Sequence, residues 1–188
     1  THNVHKKYRT MNFVNPYIFA PPVDLSTNTE IGGVASTINT PALLATKLGI
    51  DVSRISNFTV VGSDIKCKIT GSYSIPLSAF NNDININSYV DSDNLVTDLG
   101  SFAFKFNAIQ GSNIKKLELK GITSLTGTQV ITDSAIEEFY LHNCVSIPDS
   151  AFVYDTSFSK NKMYYIPLCT SLGSSPLNNS VFANIKSG

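Results

Sequence analysis

Histidine and cysteine, two residue types that often carry catalysis or hold a metal, occur only three times each in this 188-residue chain. The three histidines, His2, His5 and His142, belong to no nucleophile, H-E-x-x-H or phosphate-loop pattern. The spacing of His2 and His5 suits a metal on a helix, but the same spacing is common in chains that bind none. Because nothing converges as an active site requires, we expect a protein that is not an enzyme and uses no cofactor.

The nearest approach to a cation site is the acidic run Asp91-Ser-Asp93-Asn94, with Asp98 close behind it. A calcium loop needs more oxygen ligands, in a twelve-residue frame that ends in Glu, and this frame is missing. A solvated loop explains the same residues without an ion. We therefore predict no metal site, and name Asp91, Asp93 and Asp98 as the carboxylates that would form one.

The cysteines favour packing over chemistry. Cys67, Cys144 and Cys169 have no close spacing, and an odd count without a C-x-x-C pair weakens both a disulfide framework and a zinc site. We expect three small buried hydrophobic residues.

Charge and composition exclude several classes of partner. Lys+Arg 14 balances Asp+Glu 14, and charged residues make up only 15% of the chain. General nucleic-acid binding and polybasic membrane attachment both need a net basic face. No run approaches the 18 or more apolar residues of a membrane span. With 42% hydrophobic residues the chain can bury a core. We expect a β-rich domain with no nucleic-acid partner and no membrane span.

Repeats of about 25 residues organise most of the chain. Two segments, Ile114–Leu125 and Ile136–Ile147, overlay without gaps on the pattern apolar-x-x-apolar-x-apolar-x-x-apolar-x-x-apolar. Related copies are Cys67–Ile75, Tyr164–Leu172 and a degenerate copy that ends at Leu99. Their final apolar residues are 24, 26, 22 and 25 positions apart: Ile75, Leu99, Leu125, Ile147 and Leu172. Five residues later another apolar side chain follows in each copy: Phe80, Phe104, Val130, Phe152 and Leu177.

The degenerate copy departs from the pattern in its strand. Asp91 and Asp93 occupy the two inward positions, which a buried strand could not accept. We therefore predict a shifted strand in which Tyr89 and Val90 supply the apolar faces.

Each apolar-x-apolar step predicts a short strand with both apolar side chains facing inward. One coil cannot bury its own apolar face, so successive coils must stack into a solenoid. The spacings lie inside the 20–29 residue window of leucine-rich repeats. Cys144 and Cys169 fall where such repeats use Asn or Cys to satisfy turn backbone.

On these residues the chain resembles leucine-rich repeat proteins of the bacterial surface-antigen type. Leu43–Cys67, Ile166–Gly173 and Asn179–Ile185 are similar to segments of such proteins in bacteriophage and prophage genomes. The resemblance implies a virion structural protein, associated with a tail or spike, that serves host attachment or assembly.

The segment before the repeats predicts a cap. Thr40–Gly49 has an N-cap Thr, Pro at the first helical position, an apolar stripe of leucines and a terminal Gly, which indicate a helix. Ile55–Val61 predicts a strand. We expect residues 38–63 to cover the first coil, because an open solenoid end would expose the core.

Residues 1–37 predict an extended N-terminal arm. Its aromatic residues Phe13, Tyr17 and Phe19 precede Pro21-Pro22 and the flexible Gly32-Gly33. Such an arm docks onto other virion subunits or another copy of the chain; the alternative is that it packs on its own domain.

Residues between the inward strand positions point outward and form the predicted binding surface. They mix charged and aromatic side chains, which suits a protein or glycan of the host surface. An ordinary solvated face with charges paired across strands is the alternative. The residues are Lys66, Lys68, Lys116, Glu118, Lys120, Glu138, Tyr140, His142 and Tyr165.

Together these features predict an α+β, mainly β fold. Residues 38–188 form a short leucine-rich-repeat solenoid of about five coils with a helix/strand cap, and residues 1–37 form the arm. The predicted function is a non-enzymatic virion attachment or assembly module, located in the virion. The alternative is a leucine-rich adhesin on the bacterial surface or secreted from the cell.

Overall fold

The computed structural model describes residues 24–81, 83, 85–105, 114–128, 130–132, 138–149, 151–153, 163–165 and 167–172. Within these ranges the chain is mainly β, with one α-helix, α1 (Pro41–Leu48), and one short 3-10 helix, Val52–Arg54. The strands, in chain order, are β1 Thr29–Gly32, β2 Ile55–Val61, β3 Asp64–Ile69, β4 Tyr73–Ile75, β5 Ser88–Asp91, β6 Val96–Leu99, β7 Phe104–Lys105, β8 Lys116–Leu119, β9 Ile131–Thr132, β10 Glu138–Tyr140, β11 Ser146–Ile147, β12 Phe152–Val153, β13 Met163–Tyr165 and β14 Ser171–Leu172.

Helix α1 begins and ends as its sequence predicts. The Thr40 side chain accepts a hydrogen bond from the backbone N–H of Leu43, which caps the N-terminus. Gly49 adopts φ 63° at the C-terminus, a left-handed conformation that favours glycine. Two leucines of the predicted stripe are buried, whereas Leu43 is 44% exposed. The strand predicted at Ile55–Val61 is also confirmed.

Seven strands form one mixed sheet in the order β13-β10-β8-β5-β1-β3-β2. Strands β5, β8, β10 and β13 pair in parallel. Strand β1 lies antiparallel between β3 and β5, and β2 pairs antiparallel with the other side of β3. One row of paired residues crosses all seven strands: Thr59, Lys66, Glu30, Val90, Glu118, Tyr140 and Tyr165.

Three smaller sheets are parallel throughout: β4-β6, β11-β14 and β12-β9-β7. Strand pairing in two of them joins the residues that end predicted repeats, Ile75 with Leu99 and Ile147 with Leu172. In the third, Phe104 and Phe152 each pair with Ile131. The residue equivalent to these phenylalanines is therefore Ile131, one position after the predicted Val130. Val130 is nevertheless buried.

The buried residues of these elements form one hydrophobic cluster. Its centre contains the stacked rings of Phe80 and Phe104, whose centres lie 5.3 Å apart. The ring of Tyr89 meets both edge-on, at 5.9 Å and 6.2 Å. Its hydroxyl is 2.8 Å from that of Tyr73, so this buried polar group is hydrogen-bonded. Burial raises the pKa of both tyrosines, most of all by removing them from water.

Strand β5 confirms part of the predicted shift and corrects the rest. Tyr89 is fully buried and pairs with Leu117, while Val90 is half-buried on the opposite face of the sheet. Asp91, predicted to be unacceptable in a buried strand, is fully buried at the next inward position. Its carboxylate accepts the backbone N–H groups of Asp93 at 3.2 Å and Val96 at 2.7 Å. The burial is tolerated because these bonds replace water.

Part of the segment predicted as an arm is built into the sheet. The segment predicted as an arm contains strand β1 and the fully buried Val34. Asn28, which precedes β1, is 6% exposed. The Asn28 side chain donates to the carbonyl of Ile69 at 2.8 Å and accepts from the N–H of Ile69 at 2.9 Å. This amide continues the hydrogen bonding between β1 and β3 beyond the last strand pair. Phe13, Tyr17 and Phe19 lie outside the described residues.

Candidate binding face on the mixed sheet

The outward residues of the seven-stranded sheet define one surface, here called the outer face. Strand alternation places Lys66 and Glu118 on it, while their neighbours Cys67 and Leu117 are buried on the other side. Of the predicted binding residues, Tyr165 is 45% exposed and the others are half-buried. The strand register brings four of them into the row that crosses the sheet: Lys66, Glu118, Tyr140 and Tyr165.

The antiparallel end of the outer face pairs its lysines with residues that the sequence assigned to the arm. Lys66 Nζ lies 3.0 Å from Glu30 on β1, and Lys68 pairs with Asp24. The hydrogen bond from Lys68 holds the pKa of Asp24 well below its usual range. Sequence reasoning missed both carboxylates because insertion of β1 depends on tertiary pairing.

Lysines and glutamates also pair at the parallel end of the outer face. Lys116 Nζ lies 3.6 Å from Glu118 and 3.5 Å from Glu138, and Lys120 Nζ lies 2.7 Å from Glu118. The hydrogen bond from Lys120 is the largest cause of the lowered pKa of Glu118. Burial acts to lower the pKa of Lys116, but Glu138 and Glu118 outweigh it and raise that pKa. The four lysines of the outer face thus each have a carboxylate partner.

Three rings, of Tyr140, His142 and Tyr165, form what we call the aromatic cluster. The Tyr140 and His142 rings are stacked with centres 6.0 Å apart, and His142 and Tyr165 are tilted at 4.8 Å. Lys116 Nζ lies 5.7 Å from the centre of the Tyr140 ring, within range of a cation–π contact. The Tyr140 hydroxyl donates to Glu138 at 3.4 Å. The cluster therefore lies next to a carboxylate.

The His142 ring contacts the rings of both Tyr140 and Tyr165. Its Nδ1 is buried and has no hydrogen-bond partner in the part of the chain that the structure describes. The contacts with the two tyrosine rings therefore help to orient the imidazole, because this nitrogen makes no hydrogen bond there.

The three carboxylates named as a possible cation site accept hydrogen bonds from the protein itself: Asp91 and Asp98 from backbone N–H groups, and Asp93 from a side-chain amide. Asp98 accepts the N–H groups of Leu99 at 2.8 Å and Thr126 at 3.1 Å. Asp93 accepts from the Asn28 side chain at 3.0 Å. Over the described ranges, the structure contains no group of three or more His, Cys, Asp or Glu that could hold a metal ion.

The cysteines are free thiols, of which Cys67 and Cys144 are buried. Burial raises the pKa of Cys67 to about 12. Cys144 donates to the carbonyl of Ser146 at 3.3 Å, and Cys169 donates to that of Ser171 at 3.5 Å. The same contact two residues ahead thus recurs in successive repeats, as expected of turn-satisfying positions.

The fold and the outer face define a mainly β protein with a mixed sheet and a charge-paired aromatic surface. No protein-family model, curated protein or solved structure matches the chain. Among the described residues, no helix is both long enough and apolar enough to cross a membrane.

Proposed function

We propose that the chain is a non-enzymatic binding module, built as a short leucine-rich solenoid whose coils are stacked through the parallel strands. The pairing of Leu117 with Phe139, and of Ile147 with Leu172, supports this because each pair joins equivalent positions of successive repeats. Glycine at two repeat junctions permits close approach. A Cβ on Gly121 or Gly127 would lie 2.3 Å or 2.5 Å from the backbone of the neighbouring repeat.

The module serves in a virion, as a tail- or spike-associated protein for host attachment or assembly. The segments similar to phage and prophage proteins support the setting, and the outer face supports the mode of action. The single observation that carries the proposal is the aromatic cluster on a rigid parallel frame. Rigid elements position recognition side chains without an ordering cost on binding. The aromatic residues of the arm, Phe13, Tyr17 and Phe19, anchor the module to other virion subunits.

The first test is to locate the chain in the particle. Phage particles induced from the strain that carries the gene are purified on a density gradient and analysed by mass spectrometry, with immunogold labelling of the same particles. We expect the chain at a fixed ratio to the major capsid protein, with label at the tail or spike. Recovery only in the bacterial surface or secreted fraction would reject the virion role and favour the adhesin.

The second test is competition for the host. The purified chain, added before the particles, is expected to slow their adsorption to host cells, whereas bovine serum albumin at the same concentration leaves it unchanged. Unchanged adsorption, with the chain present in the particle, would reject attachment and leave assembly as its role.

A further inference from the structure

Charge pairing on the outer face limits the chemistry of its partner. Lys116 and Lys120 at the parallel end lie within ion-pair distance of Glu118, and Lys116 also reaches Glu138. An anionic ligand would have to compete with carboxylates already in place, and a cationic ligand would have to compete with the lysines. Binding would then break existing pairs and desolvate the charges left behind. The surface is therefore suited to a neutral partner.

Ring geometry in the aromatic cluster limits the shape of that partner. The Tyr165 ring is tilted 60° from His142 and is 45% exposed, at the outermost strand of the described sheet. An exposed ring presents an electron-rich face to weakly positive C–H groups. A flat ligand with C–H groups on one face and polar groups around its edge would stack there.

A polar group for that edge lies nearby. The side chain of Glu138 is 46% exposed, and it receives a hydrogen bond from the Tyr140 hydroxyl. A carboxylate can accept several hydrogen bonds, so Glu138 can accept from a ligand hydroxyl in addition to its contacts with Tyr140 and Lys116. Hydrogen bonds to charged groups are the stronger kind. Aromatic faces with a few placed polar groups are the usual lining of ligand sites.

We propose that the aromatic cluster, with Glu138, binds a neutral pyranose ring of a surface oligosaccharide. The ring stacks on Tyr165, and its hydroxyl groups donate to Glu138. This inference rests on the proposed function, because it names the class of ligand that the attachment face takes. A protein partner would use the same rings, and it is one of the outcomes that the test separates.

The test is saturation-transfer NMR and titration with the full chain. The probes are unbranched trisaccharides of glucose, galactose and N-acetylglucosamine, with sialyllactose as the acidic comparison. We expect transfer to the ring C–H protons of at least one neutral trisaccharide, and weaker binding of sialyllactose. Absence of binding by all three neutral trisaccharides, or a preference for sialyllactose, overturns the proposal.

Matched variants locate the site. Tyr165→Ala is expected to weaken binding about tenfold, since one stacking ring is lost. Tyr165→Phe and His142→Phe keep the rings and are expected to stay within about twofold. Thr59→Ala, at the other end of the same residue row, is the control. Circular dichroism of each variant checks folding. Equal binding by Tyr165→Ala and by the unchanged chain would reject the cluster as the site.

The two proposals fail in different ways. If the chain slows particle adsorption but no neutral trisaccharide binds, attachment holds and the glycan inference fails, which leaves a protein partner. If a neutral trisaccharide binds at Tyr165 but the chain is absent from particles, the virion role fails and the sugar site holds.

Discussion

Strands β3 and β8 carry the same apolar-x-apolar step in one sheet, yet their neighbours differ. Cys67 and Ile69 of β3 are buried in the same way as Leu117 and Leu119 of β8. Strand β3 lies between antiparallel partners, β1 and β2, whereas β8 lies between parallel partners, β5 and β10. Local alternation thus determines which side chains face inward. The chain direction of the neighbouring segment determines whether the strand pairs in parallel or antiparallel.

The two ends of the sheet also satisfy polar groups differently. At the antiparallel end one buried amide, Asn28, joins β1 to Ile69 and to Asp93. At the parallel end a local contact occurs in two successive repeats, where the thiols of Cys144 and Cys169 each donate to the carbonyl two residues ahead. A single substitution should therefore be more damaging at the antiparallel end, where the contact is not repeated.

The largest effect is expected from Asn28→Ala. The substitution leaves both backbone groups of Ile69 without their side-chain partner, so we expect a loss of about 3 kcal/mol in the free energy of unfolding. Urea denaturation measures the loss, and hydrogen exchange should show β3 losing protection before β8. Ser36→Ala, at an exposed position nearby, is the control. A loss below about 1 kcal/mol would show that the amide is not what joins the two strands.

A pH-dependent effect is expected at Asp91, where the two ends of the sheet meet. Burial raises the pKa of Asp91, even though the N–H of Val96 and other backbone bonds oppose the rise. A raised pKa in the folded state means that this group's stabilising contribution is complete below its ordinary pKa of 3.8 and is lost as pH rises through the folded value. Relative to Asp91→Asn, which does not titrate, the unchanged chain should gain stability as pH falls toward 3.8.

Urea denaturation across that pH range checks this sign. At neutral pH, Asp91→Asn should itself cost about 1–2 kcal/mol, because an amide nitrogen cannot accept from Val96. Asp51→Asn is the matched comparison: hydrogen bonds from Ser53 lower the pKa of Asp51, so its contribution is lost as pH falls. Slopes of the same sign for the two variants would contradict the assignment.

A smaller effect is expected from Cys144→Ala. The substitution removes a buried sulfur and a weak S–H donor, and should cost about 1 kcal/mol. Cys169→Ala is the matched variant: it makes the same contact from a half-buried position and should cost less. A larger loss of stability for Cys169→Ala than for Cys144→Ala would contradict the expectation that the more buried thiol contributes more.

The smallest effect is expected from Lys66→Met. The pair with Glu30 is more than one-third exposed on both sides, so its loss should change stability by no more than about 0.5 kcal/mol. Thermal unfolding at low and high salt measures it, with the difference expected to shrink in salt. A loss of several kcal/mol would contradict the prediction that this exposed ion pair contributes little to stability.

Much of the local structure was predictable from sequence. The caps of α1, the strand β2 and the inward residues of β8 follow from residue type and spacing, since each depends on neighbours a few positions away. The insertion of β1 did not follow, because Gly32-Gly33 indicates a flexible turn whether or not the preceding strand finds a partner. The burial of Asp91 was also missed. Its carboxylate accepts from the N–H of Val96, which lies across a turn whose length differs between repeats, so the repeat pattern does not indicate this hydrogen bond.

For the outer face, the sequence located the outward side chains but not their pairing. Alternation placed Tyr140 and Glu118 on one face, as the structure does. Which lysine meets which carboxylate depends on strand order, and Glu30 and Asp24 come from a segment outside the repeats. The role of this face in binding remains a prediction for the experiments above.

The insertion of β1 has a geometric consequence. On the outer face, β3 and β5 are separated by an intervening strand, whereas β4 and β6, which follow them in the same two repeats, are direct neighbours. Strands lie about 4.8 Å apart, so the first repeat is displaced by about two spacings on one side and by one on the other. The first two repeats are therefore spaced more widely on the outer face than on the side where β4 pairs with β6.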